Sequence, residues 1–296
     1  MKTVKSILIT SVATLENHAA NRGEKLLGNA SSVKRRPDGR VYISGQMQRH
    51  VLFSALDRLN EGHPDKGETY VSNGDGISTD VSKDLRSDLG GFLDTNKGDY
   101  SGRRTAPLSA TPAVALEESQ IGQDLLVRLK MDPTKDKDAK KQALATNEFS
   151  ESDEMVANFH LDLGAVGTTK KFEYVNEAHL STNYEHHIND EEHRRRVELF
   201  LAATNSMTDY ANQARNAVSG EPHRVLIVLD PGMSRKAIHY FTVGEARQEN
   251  ILRELEQRGA TYFLGNDSDS NASVYDAYQK ANAAVAKANL YRPTAG

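Results

Sequence analysis

The amino-acid sequence predicts an α+β fold in which a small antiparallel sheet is backed by helices and long segments leave its edges. Three observations carry this. Strand-like runs recur at 4–12, which is rich in β-branched residues, and at 155–163 and 224–229. Apolar residues at helical spacing fill stretches between and after them. Residues 61–100, dense in Gly, Asn, Asp and Ser, are too many for an ordinary connection and read as an irregular insertion, not a second core.

In chain order, VKSILITSV (4–12) is a buried first strand, and a polar loop follows from 13 to 39. Residues 40–43 are a second strand. Ser44 is placed to cap a helix over 45–60, in which Met47, Val51, Leu52, Ala55, Leu56 and Leu59 share one face. After the insertion, MVANFHLDL (155–163) returns to strand. Residues 190–210 are helical, 224–229 are a strand, 245–258 an amphipathic helix and 273–289 an alanine-rich closing helix. KDKDAKK (135–141) approaches low complexity and reads as a solvated loop. This order allows a split βαβ arrangement, a common platform for RNA, although fold alone does not establish function.

The chain has 296 residues and 38% apolar content, which suits one large core with excursions. Mean hydropathy is −0.62, and runs such as 7–9 and 225–229 fall far short of the ~20 apolar residues a membrane span needs. The stretch after Lys2 and Lys5 is too short for a secretory signal, so cytoplasmic residence and no membrane partner are expected. With no cysteine, disulfides, thiolate zinc sites and cysteine nucleophiles are excluded.

Net charge is −4, yet residues 1–58 hold ten basic side chains against four acidic ones, a local +6. A basic face on an acidic chain suits a polyanion bound along one track. KRRPDGRVYISGQMQRH (34–50) concentrates that charge just before a helix start. A run of this kind is most often a solvated loop, but cations beside free helix-terminal N–H groups also make a phosphate cradle.

Other constellations fail. His186, His187 and His193 with Glu185 and Glu192 lack the rigid convergence a zinc site requires. Residues 267–271, DSDSN, open like a calcium loop, but Ala272 and Tyr278 stand where Gly and Glu belong. No phosphate-binding GxxxxGK[ST], GxSxG or HExxH segment and no helix-turn-helix signal is present. No metal, cofactor or catalytic residue is expected.

Several segments together carry a family resemblance. Asn21-Arg22, the basic run, a short strand and SGQMQRH (44–50) are followed by DLGGFL (88–93), RRTAPLSATPAVAL (103–116), FHLDLGAVGT (159–168) and EEHRRRVELFLAAT (191–204). In this order they resemble the backbone subunit of type I CRISPR effector complexes, the Cas seven family, in its DevR-like branch. The acidic net charge and the middle insertion depart from that pattern.

The resemblance implies a single RRM-like (ferredoxin-like) palm over 1–296, with a finger-like insertion over about 61–150 and a thumb over about 164–189. It implies a CRISPR RNA as ligand, head-to-tail copies of the chain and other Cascade subunits as partners, and target DNA reached through the guide. On it, Asn21, Arg22, Lys34, Arg35, Arg36 and Arg40 are expected at the RNA backbone, with Ser44, Gln46 and an exposed Arg49 as positioning donors. Arg103 and Arg104 would form a second cradle, or pair with acidic neighbours. In the thumb, Lys170 and Lys171 supply charge, and Phe172 and Tyr174 supply flat surfaces for an unstacked base; an ordinary hairpin packed on its own domain is the plainer alternative. A type III-like subunit cleaving target RNA would need an acidic loop residue. Asp38 is the candidate, but its Pro-Asp-Gly setting is explained by turn geometry.

Overall fold

The computed structural model describes residues 3–25, 31–63, 78–93, 103–130, 141–176, 178–211 and 217–294. The chain opens with β1 (Ser6–His18), β2 (Arg22–Lys25), β3 (Ser31–Val33), β4 (Tyr42–Ile43) and α1 (Gly45–Leu59). Next come α2 (Leu85–Gly90), β5 (Phe92–Leu93), β6 (Arg103–Arg104), β7 (Leu108–Ala110), β8 (Ala113–Ala115), β9 (Ile121–Lys130) and β10 (Lys141–Asp162). A 3-10 turn, Leu163–Ala165, leads into β11 (Thr168–Val175), β12 (Ala178–His186) and α3 (Asp190–Thr204). The rest is β13 (Arg224–Asp230), a 3-10 segment (Lys236–Thr242), α4 (Glu245–Arg258), β14 (Thr261–Asn266) and α5 (Val274–Lys287).

The palm sheet runs β13, β1, β10, then β7 and β8 along the far edge of β10, all antiparallel. Helix α1 joins β1 to that far edge and α3 joins β10 to β13. This is the double split βαβ of an RRM-like, ferredoxin-like palm, and β14 extends it beyond β13.

Alternation along β1 builds two cores. Ile7 and Ile9 face α1, α3 and α5, meeting Phe159, Leu161, Val197 and Phe200. Leu8 faces the opposite way and packs with Leu226, Val228, Ala237, Ile251 and Leu255. Because both faces are covered, β1 reads as a continuous apolar run with no polar alternation.

Local signals fix the helix ends. The Ser44 hydroxyl accepts from the Met47 amide at 3.3 Å, and Asn189 caps α3 by accepting from the Glu192 amide at 2.8 Å. Ser273 and Asp276 form a capping box on α5. Gly259, at φ +75°, ends α4 in the left-handed conformation that glycine adopts without penalty.

Several expectations need correction. Strand β1 continues to His18, where a loop was expected, because His18 is buried and its Nε2 lies 2.7 Å from Asp153 Oδ2 across the sheet. Residues 108–115 are palm strands and do not belong to an insertion. Strand β10 begins at Lys141 instead of near 155; its first half pairs with β9 away from the main core, so no apolar alternation announced it. Helix α3 stops at Thr204, not 210, where the Thr204 hydroxyl turns back to the Leu201 carbonyl at 2.8 Å. Strand β14 was not expected. Leu59, at the end of the predicted stripe, is 46% exposed. Residues 64–77, 94–102 and 131–140, most of the expected irregular segments, lie outside the described residues.

One buried ionic cluster joins the parts. Asp88, on α2 and fully buried, accepts from Arg196 Nη1 at 2.7 Å and also pairs with Arg104. Both its oxygens accept the Gly167 amide, at 2.8 and 3.0 Å. Arg196 Nε donates to Glu192 at 2.7 Å, and its Nη atoms donate to the Val81 and Ser82 carbonyls. Arg104 donates to the carbonyls of Ala165 (2.7 Å) and Thr168 (2.6 Å). Two carboxylates thus meet two guanidiniums, and the pairing offsets much of the cost of burying those charges.

Asp88→Ala leaves two buried guanidiniums without their shared carboxylate and should destabilise the protein by about 3–5 kcal/mol, read from urea unfolding at neutral pH. His160 supplies a second prediction. It is 3% exposed and neither ring nitrogen has a partner among the described residues. Burial, reinforced by the nearby Arg235 charge and partly offset by Asp230, pushes its pKa down to about 4. The unfolded chain therefore binds the extra proton between pH 6.5 and 4, and stability falls as pH falls through that window, by about 3 kcal/mol from this group. The stability gap between the native protein and His160→Asn should shrink by that amount from pH 7 to pH 4.

Candidate nucleic-acid interface

Residues 34–42 fold as a hairpin between β3 and α1. Arg35 and Val41 bridge, Arg36 N–H donates to Arg40 O at 2.9 Å, and Gly39 N–H to Arg36 O at 3.0 Å. Pro37, Asp38 and Gly39 form the three-residue loop, and Gly39 at φ +80° takes the left-handed position such a loop needs. Asp38 serves the turn: it accepts from the Arg40 amide at 3.2 Å and from Arg40 Nε at 2.7 Å. That guanidinium holds its carboxyl below the usual carboxylate range.

The hairpin presents its charge outward. Lys34 and Arg36 are exposed and make no ion pair among the described residues. Arg35 remains 44% exposed, its Nη2 reaching only to 4.0 Å from Glu148, and Arg40 is 32% exposed. The hairpin leads through β4 to Ser44, whose hydroxyl is used on the Met47 amide, and to Gln46, which is exposed in the first turn of α1.

Its base is anchored in the palm. Asn21 is 7% exposed; its Nδ2 donates to the Tyr42 carbonyl at 2.5 Å and its own carbonyl accepts from Lys34 N–H. Val41 N–H donates to the Ser119 hydroxyl at 3.0 Å, which donates to Asp153, which pairs with His18. Asn21 therefore holds the hairpin from inside and does not face solvent, contrary to its expected place at the RNA backbone.

Two arginines are likewise corrected. Arg104 has 6% side-chain exposure and is consumed by Asp88 and three backbone carbonyls, so it cannot cradle an external strand. Arg49 is half-buried: it donates to the Gly90 carbonyl at 2.7 Å and lies 5.7 Å from the centre of the Phe53 ring. The backbones of Arg22 and Arg103 lie in β2 and β6; their side chains are outside the described residues.

Strands β11 and β12 pair only with each other and form a separate two-stranded hairpin. The register sorts its side chains onto two faces. One bears Lys170, Phe172 and Tyr174 opposite Tyr184, Thr182 and His179. Lys170 Nζ lies 4.9 Å from the Phe172 ring centre, and His179 meets Phe172 and Tyr174 edge-on at 6.0 and 5.8 Å. Phe172 is 43% and Tyr174 60% exposed. The other face closes on itself, with Lys171 paired to Glu185 and Glu173 accepting from Ser181 and Asn183. His179 and Tyr184 were missed in the sequence because cross-strand partners follow only once the turn near Asn176 is placed.

The three histidines diverge. His186 Nε2 meets the Pro293 carbonyl at 2.9 Å, His187 Nε2 the Thr169 hydroxyl at 2.8 Å, and His193 Nε2 the Leu163 carbonyl at 2.8 Å. Among the described residues no group of three or more His, Asp or Glu side chains could hold a metal ion. Among the described residues no helix is long and apolar enough to cross a membrane.

The same fold occurs in solved structures. A chain titled "CRISPR RNA-guided surveillance complex" superposes with a TM-score of 0.58 at 16% identity, covering 94% of this chain and 99% of that one. A second, titled "CRISPR RNA-guided surveillance complex, pre-nicking", gives 0.59 at 13% identity, covering 95% and 99%. No curated protein sequence matches. The family model described as "CRISPR-associated negative auto-regulator DevR/Csa2" matches residues 9–224, nearly three quarters of the sequence, and the chain belongs to that CRISPR-associated family.

Proposed function

We propose that the chain is a non-catalytic backbone subunit of a type I Cascade-like surveillance complex. It binds CRISPR RNA, polymerises head to tail along it and presents the guide for pairing with target DNA. The observation that carries this reading is the 34–42 hairpin, which projects four cations from a base locked into the palm and runs directly into a helix N-terminus. Both palm faces are covered over β1 and β13, so a strand of RNA is better served by this projecting hairpin than by the sheet surface. Phosphate contacts of this kind hold backbone without reading bases.

Hairpin β11–β12 supplies the complementary element: an aromatic and cationic face able to sit beside an unstacked base. In this reading it is the thumb and reaches over RNA held by a neighbouring copy. Such a contact is heterologous and does not close, so it builds a filament whose length the RNA sets. Asp38 is occupied by Arg40 and the turn, which supports a holding role over cleavage.

Replacing Lys34, Arg35, Arg36 and Arg40 by Ala should weaken binding to guides of different sequence alike. The slope of log affinity against log salt should become shallower by about 0.7 per lost contact. An unchanged slope in filter-binding titrations would count against the assignment. Replacing residues 168–187 by a short Gly-Ser linker should leave a folded monomer that no longer forms ordered multimers on guide RNA; electron micrographs of full-length filaments from that variant would refute the thumb role.

A further inference from the structure

We propose that Asp88 and Arg104 act together as positioning residues: from the palm, their ion pair sets the angle at which hairpin β11–β12 leaves the domain. This rests on the reading of the hairpin as the element that orders copies along RNA.

The hairpin is held at its roots. Its strands join no other sheet, so its direction is decided where β11 begins. There, three nearby backbone groups are fixed by one ionic unit. Both Asp88 carboxylate oxygens take the Gly167 N–H, while Arg104, itself paired with Asp88, takes the Ala165 and Thr168 carbonyls. Gly167 sits at φ +60°, and a Cβ there would lie 2.1 Å from the Ile188 side chain, so the chain turns where a side chain is excluded. The β12 root has further anchors, His186 to the Pro293 carbonyl and Arg292 to the Ile188 carbonyl, and it is tied to the β11 root by the His187 amide, which donates to the Gly167 carbonyl at 2.9 Å. Loss of Asp88 therefore releases the β11 root from the palm and leaves it tied to β12 alone.

Asp88 also connects the hairpin to the helix that follows the cationic loop. It lies on α2, whose Gly90 carbonyl takes Arg49 of α1 and whose Arg86 pairs with Asp57 of α1. A single rigid joint thus relates the cationic surface to the aromatic surface, and the spacing between copies on RNA depends on that relation.

The test uses full-length protein carrying Asp88→Asn, which keeps the side chain's shape and an accepting oxygen, and Arg104→Met, which keeps Asp88 paired with Arg196. Three readouts on single-stranded RNA are compared with the unmodified protein: affinity for an RNA long enough for one copy, the repeat of multimers on a longer RNA by electron microscopy, and amide hydrogen exchange. Affinity for the short RNA should stay within twofold, the repeat should be lost or irregular, and exchange should accelerate at 165–171 at least tenfold more than in β1. Regular multimers with the original repeat in either folded variant would overturn the proposal. So would acceleration spread evenly over the palm, which would mark a general stability role; should Asp88→Asn fail to fold, Arg104→Met alone decides on the same criteria. Failure of the underlying reading shows differently, as full assembly by the protein whose hairpin is replaced by a linker.

Discussion

The buried carboxylate of Asp88 is the constraint on which the relative placement of the parts depends. A fully buried aspartate with two guanidiniums and a backbone amide has little freedom, because any displacement leaves a charge in a poorly solvating interior without its partner. The groups it holds come from α2, β6, α3 and the root of the β11–β12 hairpin. Asp88, Arg104, Gly167 and Arg196 themselves lie at least sixteen residues apart in the sequence. Apolar packing draws the same elements together without direction, and the ionic cluster specifies one arrangement of them.

A second, smaller anchor does similar work for the cationic hairpin. His18, Asp153 and Ser119 run from β1 through β10 to the Val41 amide, and Asn21 closes the other strand through Tyr42. The two anchors divide the chain's polar residues into those that hold and those that present. Arg104, Arg196, Arg49 and Asn21 hold, while Lys34, Arg36, Lys170 and the hairpin aromatics present. This division makes a net charge of −4 compatible with the proposed polyanion-binding surface: a phosphate would meet local exposed charge, and at physiological salt charges beyond about 8 Å are largely screened.

Coverage of both sheet faces limits where a ligand can sit. The 3-10 segment Lys236–Thr242 and α4 occupy the side opposite α1 and α3, so in the proposed function the projections, and not the sheet, meet the RNA. Projections are also where sequence patterns are weakest, since a strand outside the core has no face to keep apolar. The first half of β10 and the hairpin strands lack a regular apolar alternation for this reason.

By itself the sequence determined part of the palm: the first half of β1, α1 with its Ser44 cap, β13, α4 and α5 follow from apolar periodicity and capping chemistry, which act within a few residues, whereas edge strands β7, β8 and β14 do not. It also determined the cationic turn, because Pro-Asp-Gly flanked by basic residues defines its own geometry, and the order of motifs that placed the chain in its family. Only the tertiary structure decided which of those basic residues remain available. Arg36 and Arg104 look alike in the sequence, each the second of two consecutive arginines; one ends exposed on a hairpin and the other beside Asp88, sixteen residues earlier in the chain. Whether a guanidinium faces water or a buried carboxylate is a property of long-range packing, and no local pattern encodes it.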